Sequence, residues 1–152
     1  MSVAFRRESD DEHLEPKFEL PIPSGPNLVT ERGLVLIAAR VEALEAELAG
    51  LSDEAEIKRV KRDLRYWRTR QATAQVMPPP EGGVVAFGST VSYRLNGKER
   101  TVTLVGDDEA DPAAGLLSFT APLSRALLGA EAGDEFDFAG KDGALEVVKV
   151  GV

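Results

Sequence analysis

Two runs of apolar residues on a helical period constrain the fold more than any other feature of this chain. Leu34, Ile37, Val41, Leu44, Leu48 and Leu51 fall at alternating steps of three and four. Ile57, Val60, Leu64 and Trp67 repeat those steps, and Gln71 and Ala74 continue them less strongly. A seam of this kind is buried only when a second helix faces it. Gly50-Leu51-Ser52 breaks the two runs apart, so residues 30–77 read as an antiparallel helical hairpin. Thr30 suits the N-cap of the first helix, while Gly33 in its first turn costs helix stability. Pro78-Pro79-Pro80 removes three backbone donors in a row and ends the second helix. With Gly82-Gly83 behind it, the span 78–84 reads as a linker and a domain boundary.

Beyond the linker the period changes to that of strands. Phe87, Val91, Tyr93 and Leu95 lie in phase, and Asn96-Gly97 is a strong two-residue hairpin signal. Counting across it pairs Val91 with Val102 and Ser89 with Leu104, which puts the apolar positions on one face. A short apolar strand is expected over Leu116–Phe119. A one- or two-turn helix then opens at Pro122 and stops at Gly129, with Leu127 and Leu128 assigned to the core. Phe136 and Phe138 suggest another strand, Lys141-Asp142-Gly143 a turn, and Leu145 to Val150 the last strand. The expectation is an α+β chain: a helical hairpin, then a mostly antiparallel β domain over 85–152 with one short helix.

Ahead of the hairpin, residues 1–29 read as an extended or disordered arm. Arg6-Arg7-Glu8-Ser9-Asp10-Asp11-Glu12 is a charge run without a period, and Pro16, Pro21, Pro23 and Pro26 disfavour helix. Phe18, Leu20 and Ile22 alternate with Glu19 and Pro21, which also suits an edge strand.

Charge and composition narrow the function classes. The net charge of −8 disfavours free nucleic acid as the main partner. There is no cysteine, and the single histidine, His13, lies in the polar arm, so thiolate and histidine zinc sites are not expected. No run of about 18 apolar residues exists to span a membrane. The charged N-terminus lacks an apolar signal region. A soluble, cytoplasmic monomer is expected.

Within that acidic chain the charge is polarised. The first helix carries Glu42, Glu45 and Glu47, and the second carries Lys58, Arg59, Lys61, Arg62, Arg65, Arg68 and Arg70. These cations suit pairing with the first helix plus a solvated face. They equally suit contact with RNA or an acidic protein channel. At the hairpin tip, Asp53 and Glu56 have the spacing of a capping box. Further on, Asp107, Asp108, Glu109 and Asp111 place four carboxylates within five positions, closed by Pro112. Like charges at this density repel, so either a solvated loop or a cationic partner is implied.

The run Gly106-Asp107-Asp108-Glu109-Ala110-Asp111, the helix carrying Pro122, Arg125, Leu127 and Gly129, and then Gly133-Asp134 resemble the C-terminal domain of the bacterial transcript-cleavage factors GreA and GreB. The resemblance is strong over 85–150, weaker over 30–77 and absent before Leu28. It implies an FKBP-like fold for the C-terminal domain. It also implies docking on the rim of the RNA polymerase secondary channel, at a coiled coil of the largest subunit. Asp107, Asp108, Glu109, Ala110, Asp111, Phe119, Pro122 and Leu123 match the contact region. Ala121 departs from the serine that relatives commonly carry before the proline, and Thr120 is a candidate to replace its cap.

In the same family an acidic pair at the hairpin tip enters the channel and helps polymerase hold a second magnesium ion for hydrolysis of backtracked RNA. Asp53 and Glu56 are the matching pair here. Magnesium takes hard oxygen ligands, so borrowed carboxylates can complete a site that another protein supplies. The hairpin differs from the family in two ways. Its first helix spans roughly 30 Å, about three turns short of the family's arm. Ile57-Lys58-Arg59 also replaces the aromatic and asparagine residues that follow the pair. Two versions of the function follow from the resemblance: a factor that stimulates cleavage, or a secondary-channel binder that competes with or inhibits true Gre factors. In neither is the chain an enzyme itself, and nucleic acid is met only within the elongation complex. The FKBP-like fold alone would also suggest a peptidyl-prolyl isomerase, but no dense aromatic lining is present for one.

Overall fold

A computed structural model describes residues 19–151. The charge run 6–12, His13 and Phe18 lie outside the described residues. The chain forms two compact units. Among the described residues, one comprises Ile37–Thr73 with residues 19–25, and the other comprises Pro26–Leu36 with residues 74–151.

The first unit holds most of the hairpin, from Ile37 to Thr73. Helix α1 spans Glu31–Ala49 and helix α2 spans Glu54–Thr73. The seam is buried as its period demands: Val41, Leu44, Val60 and Leu64 form the core, with Leu48, Leu51 and Trp67 packed against it. The seam departs from expectation at its end. Gln71 is exposed, and the last buried side chain of α2 is Arg70. Its guanidinium carbon lies 6.0 Å from the Tyr66 ring centre, a cationic contact on an aromatic face. Arg40 stands over Trp67 in the same way at 5.4 Å.

Helix α2 stops four residues short of the expected end at Met77. Two short strands, β1 (Leu28–Val29) and β2 (Gln75–Val76), pair in parallel instead. Gln75 donates its N–H to Asn27 O at 2.8 Å, and Met77 donates to Val29 O at 2.9 Å. The ladder satisfies these backbone groups, so the helix has already ended before the prolines.

The second unit is built on a five-stranded sheet: β3 (Thr90–Leu95), β4 (Lys98–Val105), β5 (Leu116–Ser118), β6 (Glu135–Phe138) and β7 (Lys141–Gly151). Their order is β5-β4-β3-β7-β6, with every pair antiparallel except β4 with β5. Asn96 and Gly97 take φ of 53° and 84°, the paired positive values that a tight hairpin needs. Val91 faces Val102 as expected, and Leu104 donates its N–H to Ser89 O at 3.0 Å. Helix α3 (Pro122–Leu127) covers one face. The core gathers Val85, Val91, Tyr93, Leu104, Leu127, Ala130, Leu145 and Val147.

Three local expectations are corrected. Leu128 is 38% exposed rather than core: it is the C-cap of α3, and the helix buries Ser124 and Leu127 instead. The last turn is Ala139-Gly140, both at positive φ, and Lys141 already begins β7. The pairing of β6 with β7 shifts between Phe136 and Phe138, and Gly143 donates its N–H to Asp137 Oδ1 at 2.9 Å. That irregularity accommodates the glycine that sequence alone placed in the turn. Finally, Thr120 does not cap α3, whose N-cap Ala121 makes no side-chain bond. The Thr120 hydroxyl is drawn instead to Asp107.

Candidate functional site

The acidic loop leaves the end of β4 at Gly106 and forms two short 3-10 turns, Asp107–Glu109 and Pro112–Ala114, before β5. Its four carboxylates have different surroundings. Asp107 Oδ1 accepts hydrogen bonds from Ser118 Oγ at 2.5 Å and Thr120 Oγ1 at 2.8 Å. Glu109 points inward, with only 4% of its side chain exposed. It accepts from Thr30 Oγ1 at 2.6 Å and from the Arg32 guanidinium at 2.5 Å. Asp108 is half-buried and Asp111 exposed. The Asp111 and Leu116 main chains exchange a pair of hydrogen bonds, which closes the loop. One cation facing this loop is therefore internal, since Arg32 belongs to the same unit.

Two glycines admit the close approach. A Cβ on Gly33 would stand 2.8 Å from Glu109 Oε1, and one on Gly106 would stand 2.4 Å from the Leu28 carbonyl oxygen. Sequence reasoning missed the partnership of Thr30, Arg32 and Gly33 with Glu109. The available signal was Gly33 itself, a helix-weakening residue in a first turn with no local reason to be there.

The remaining matched residues lie nearby. Ala110 follows Glu109 and is half-buried. Phe119 packs edge-on against buried Phe87, with ring centres 5.4 Å apart. Pro122 is exposed at the first position of α3, where its missing N–H costs nothing. Leu123 lines a recess of about 210 Å³ with Tyr93, Arg100 and Leu117. Ser124 Oγ donates to Ser118 O at 2.6 Å and ties the start of α3 to the strand that also holds Asp107.

In the other unit, Asp53 Oδ2 accepts the Glu56 N–H at 3.0 Å, so Asp53 caps α2. Glu56 does not complete a reciprocal box. Its Oε1 accepts from both Arg59 Nη2 and Nε, at 2.9 and 3.2 Å. In this arrangement Asp53 serves the cap and Glu56 an ion pair with Arg59. Among the described residues no cluster of three or more potential ligands could hold a metal.

Much of the basic charge on α2 is paired: Arg59 with Glu47, Arg68 with Glu45, and Arg62 with Asp63. Arg65 forms a two-pronged contact with Glu19, both N–O distances being 2.8 Å. That hydrogen bond is the main reason the Glu19 carboxyl is held below its ordinary pKa. The pairs of Arg59 with Glu47, Arg65 with Glu19 and Arg68 with Glu45 are solvent-exposed and contribute little to stability.

The family model described as "Transcription elongation factor, GreA/GreB, C-term" matches residues 79–151. This stretch is similar to the C-terminal domain of the GreA/GreB family. The transcription elongation factor GreA of Desulfovibrio desulfuricans is 42% identical over 76 residues, 47% of each chain. The protein of the same name from Hyphomonas neptunium is 45% identical over 73 residues, 45% of this chain and 46% of that one. The chain thus spans about half the length of the curated relatives it matches. A GreA/GreB structure from Nitrosomonas europaea is 27% identical with a TM-score of 0.39, covering 85% of this chain and all of that one. Within the GreA/GreB domain lie the acidic loop, Phe119 and the start of α3. Asp53 and Glu56 lie outside the matched span. Among the described residues, no helix is long and apolar enough to cross a membrane.

Proposed function

We propose that this chain is a Gre-type elongation factor that binds RNA polymerase at the rim of the secondary channel and modulates elongation in the cytoplasm. The observation that carries this reading is the GreA/GreB match over 79–151, with the acidic loop retained inside it. Asp108 and Asp111 are the carboxylates proposed to meet a basic coiled coil of the largest subunit. Pro122, Leu123 and Phe119 supply the apolar ground beside them. The hairpin is the element presented to the channel, and RNA cleavage, where it is stimulated, is the polymerase's own reaction. No step is assigned to magnesium through Asp53 and Glu56.

Capture of core polymerase on the immobilised full-length chain tests the reading. Reversing Asp108 and Asp111 to lysine should weaken capture roughly tenfold or more, mainly through slower association and most clearly at low salt. Undiminished capture by a folded double variant would sink the docking assignment. Competition with a GreA on stalled complexes then reports whether the docked chain stimulates cleavage or blocks it.

A further inference from the structure

Glu109 lies inside the stretch that matches the docking region, yet its geometry suits a different task. A carboxylate with 4% of its side chain exposed is costly unless it is fully partnered. Its partners come from 77 and 79 positions earlier in the chain. Thr30 is central, because its oxygen donates to Glu109 Oε1 at 2.6 Å and also accepts the Gly33 N–H at 2.9 Å. One hydroxyl therefore joins the carboxylate to the cap of α1, at the end of the helix where the backbone dipole favours negative charge. Arg32 supplies the counter-charge while 64% of its own side chain stays in water. The bare faces of Gly33 and Gly106 leave room for nothing larger.

The loop is gripped from its other side too. Asp107 is bonded to Ser118 and Thr120, the residues that lead into α3. A 3-10 turn with its first and last side chains both tied has little freedom to rotate. The residue between them, Asp108, is then set by the two neighbours, and Asp111 follows two positions on.

We infer that Glu109, through Thr30 and Arg32, is a positioning residue for polymerase docking. It touches no partner, and it fixes the turn that places Asp108 and Asp111. This rests on the docking function proposed above. It assigns to Asn27–Gly33, a segment outside the matched GreA/GreB span, the task of holding the docking loop in shape.

The test compares Arg32→Ala, Glu109→Gln and the double variant in the full-length chain. Polymerase affinity is measured at a temperature where circular dichroism shows each fully folded. Amide hydrogen exchange is followed over 107–111. Each single variant should bind about tenfold more weakly, the scale of one charge-assisted hydrogen bond. The double variant should be no weaker than Glu109→Gln alone, because both act through one contact. Exchange should quicken at Asp108–Asp111 while the β3–β4 amides stay protected. Arg32 is largely in solvent, so Arg32→Ala decides the question even if Glu109→Gln fails to fold. Wild-type affinity in a folded Arg32→Ala variant would overturn the inference and leave the docking function standing. A wild-type chain that binds no polymerase would overturn both.

Discussion

Gly106→Ala isolates the steric part of a glycine's role. Gly106 has φ −73° and ψ 165°, ordinary extended backbone that alanine adopts freely. The obstacle is space. A Cβ would stand 2.4 Å from Leu28 O, 3.5 Å from its carbonyl carbon and 3.6 Å from Val29 Cα. Carbon and oxygen settle at about 3.3 Å, so one strand must move by roughly 0.9 Å. All three obstructing atoms are main chain, and no rotamer change relieves them. Strand β1 is also tied on its other edge by the bonds from Gln75 to Asn27 and from Met77 to Val29. Overpacking of this kind costs about 1–3 kcal/mol. The reduced freedom of the unfolded chain offsets about 0.4–1 kcal/mol. The expected loss is about 1–2 kcal/mol, a fall in melting temperature of roughly 5–15 °C for a unit of this size. Differential scanning calorimetry is the suitable assay, because the only tryptophan, Trp67, sits in the hairpin and reports the other unit. Gly50→Ala is the control. Gly50 lies outside the left-handed region, and a Cβ there would meet only Glu47 O at 3.9 Å. It should be neutral or mildly stabilising. Refutation would be a Gly106→Ala variant that melts at or above wild type, or equal losses from both glycines.

Asp53→Ala removes the side-chain bond to the Glu56 N–H and should destabilise the hairpin by about 1 kcal/mol, with Asp53→Asn costing less. Trp67 fluorescence in urea reads this directly, and an unchanged midpoint would show that the cap contributes nothing. Tyr93 is buried in the sheet core, and burial pushes its phenol above the ordinary 10.0, against a smaller opposing pull from Arg100. The neutral form is the one favoured in the fold. Its contribution to stability is therefore fully present below the unfolded pKa and is lost as pH rises through the higher folded value. Absorbance titration of the wild type against Tyr93→Phe should show the Tyr93 phenolate appearing above that ordinary value, and ionisation at or below it would contradict the burial argument.

Much of the architecture was legible because its determinants are local. The three-four spacing of Val41, Leu44, Val60 and Leu64 specifies a buried helical seam whatever surrounds it. Asn96-Gly97 specifies a hairpin turn, and that turn sets the register of β3 on β4. Pro122 and Gly129 mark the limits of a short helix for reasons internal to the backbone. The misplaced features were those settled at a distance. Leu128 looked like core by composition, but it is Leu127 that packs into the sheet core, and Leu128 at the C-cap is left exposed. Lys141-Asp142-Gly143 looked like a turn, but the bond from Gly143 to Asp137 absorbs that glycine into an irregular strand. Helix α2 was expected to run to Met77, and parallel pairing with Leu28–Val29 took its last residues.

By itself the sequence determined the helical seams, the β3–β4 hairpin and the presence of a dense acidic loop, since each is encoded within a few consecutive residues. Only tertiary structure decided what the carboxylates of that loop do. Asp107 and Glu109 are turned inward by hydroxyls and a guanidinium that neither period nor spacing connects to them. Asp111 stays in solvent, with Asp108 between the two tied residues. The physical reason is that a carboxylate's role depends on which donors reach it. For Glu109 those donors arrive from the far end of the chain, through a gap that two missing side chains leave open.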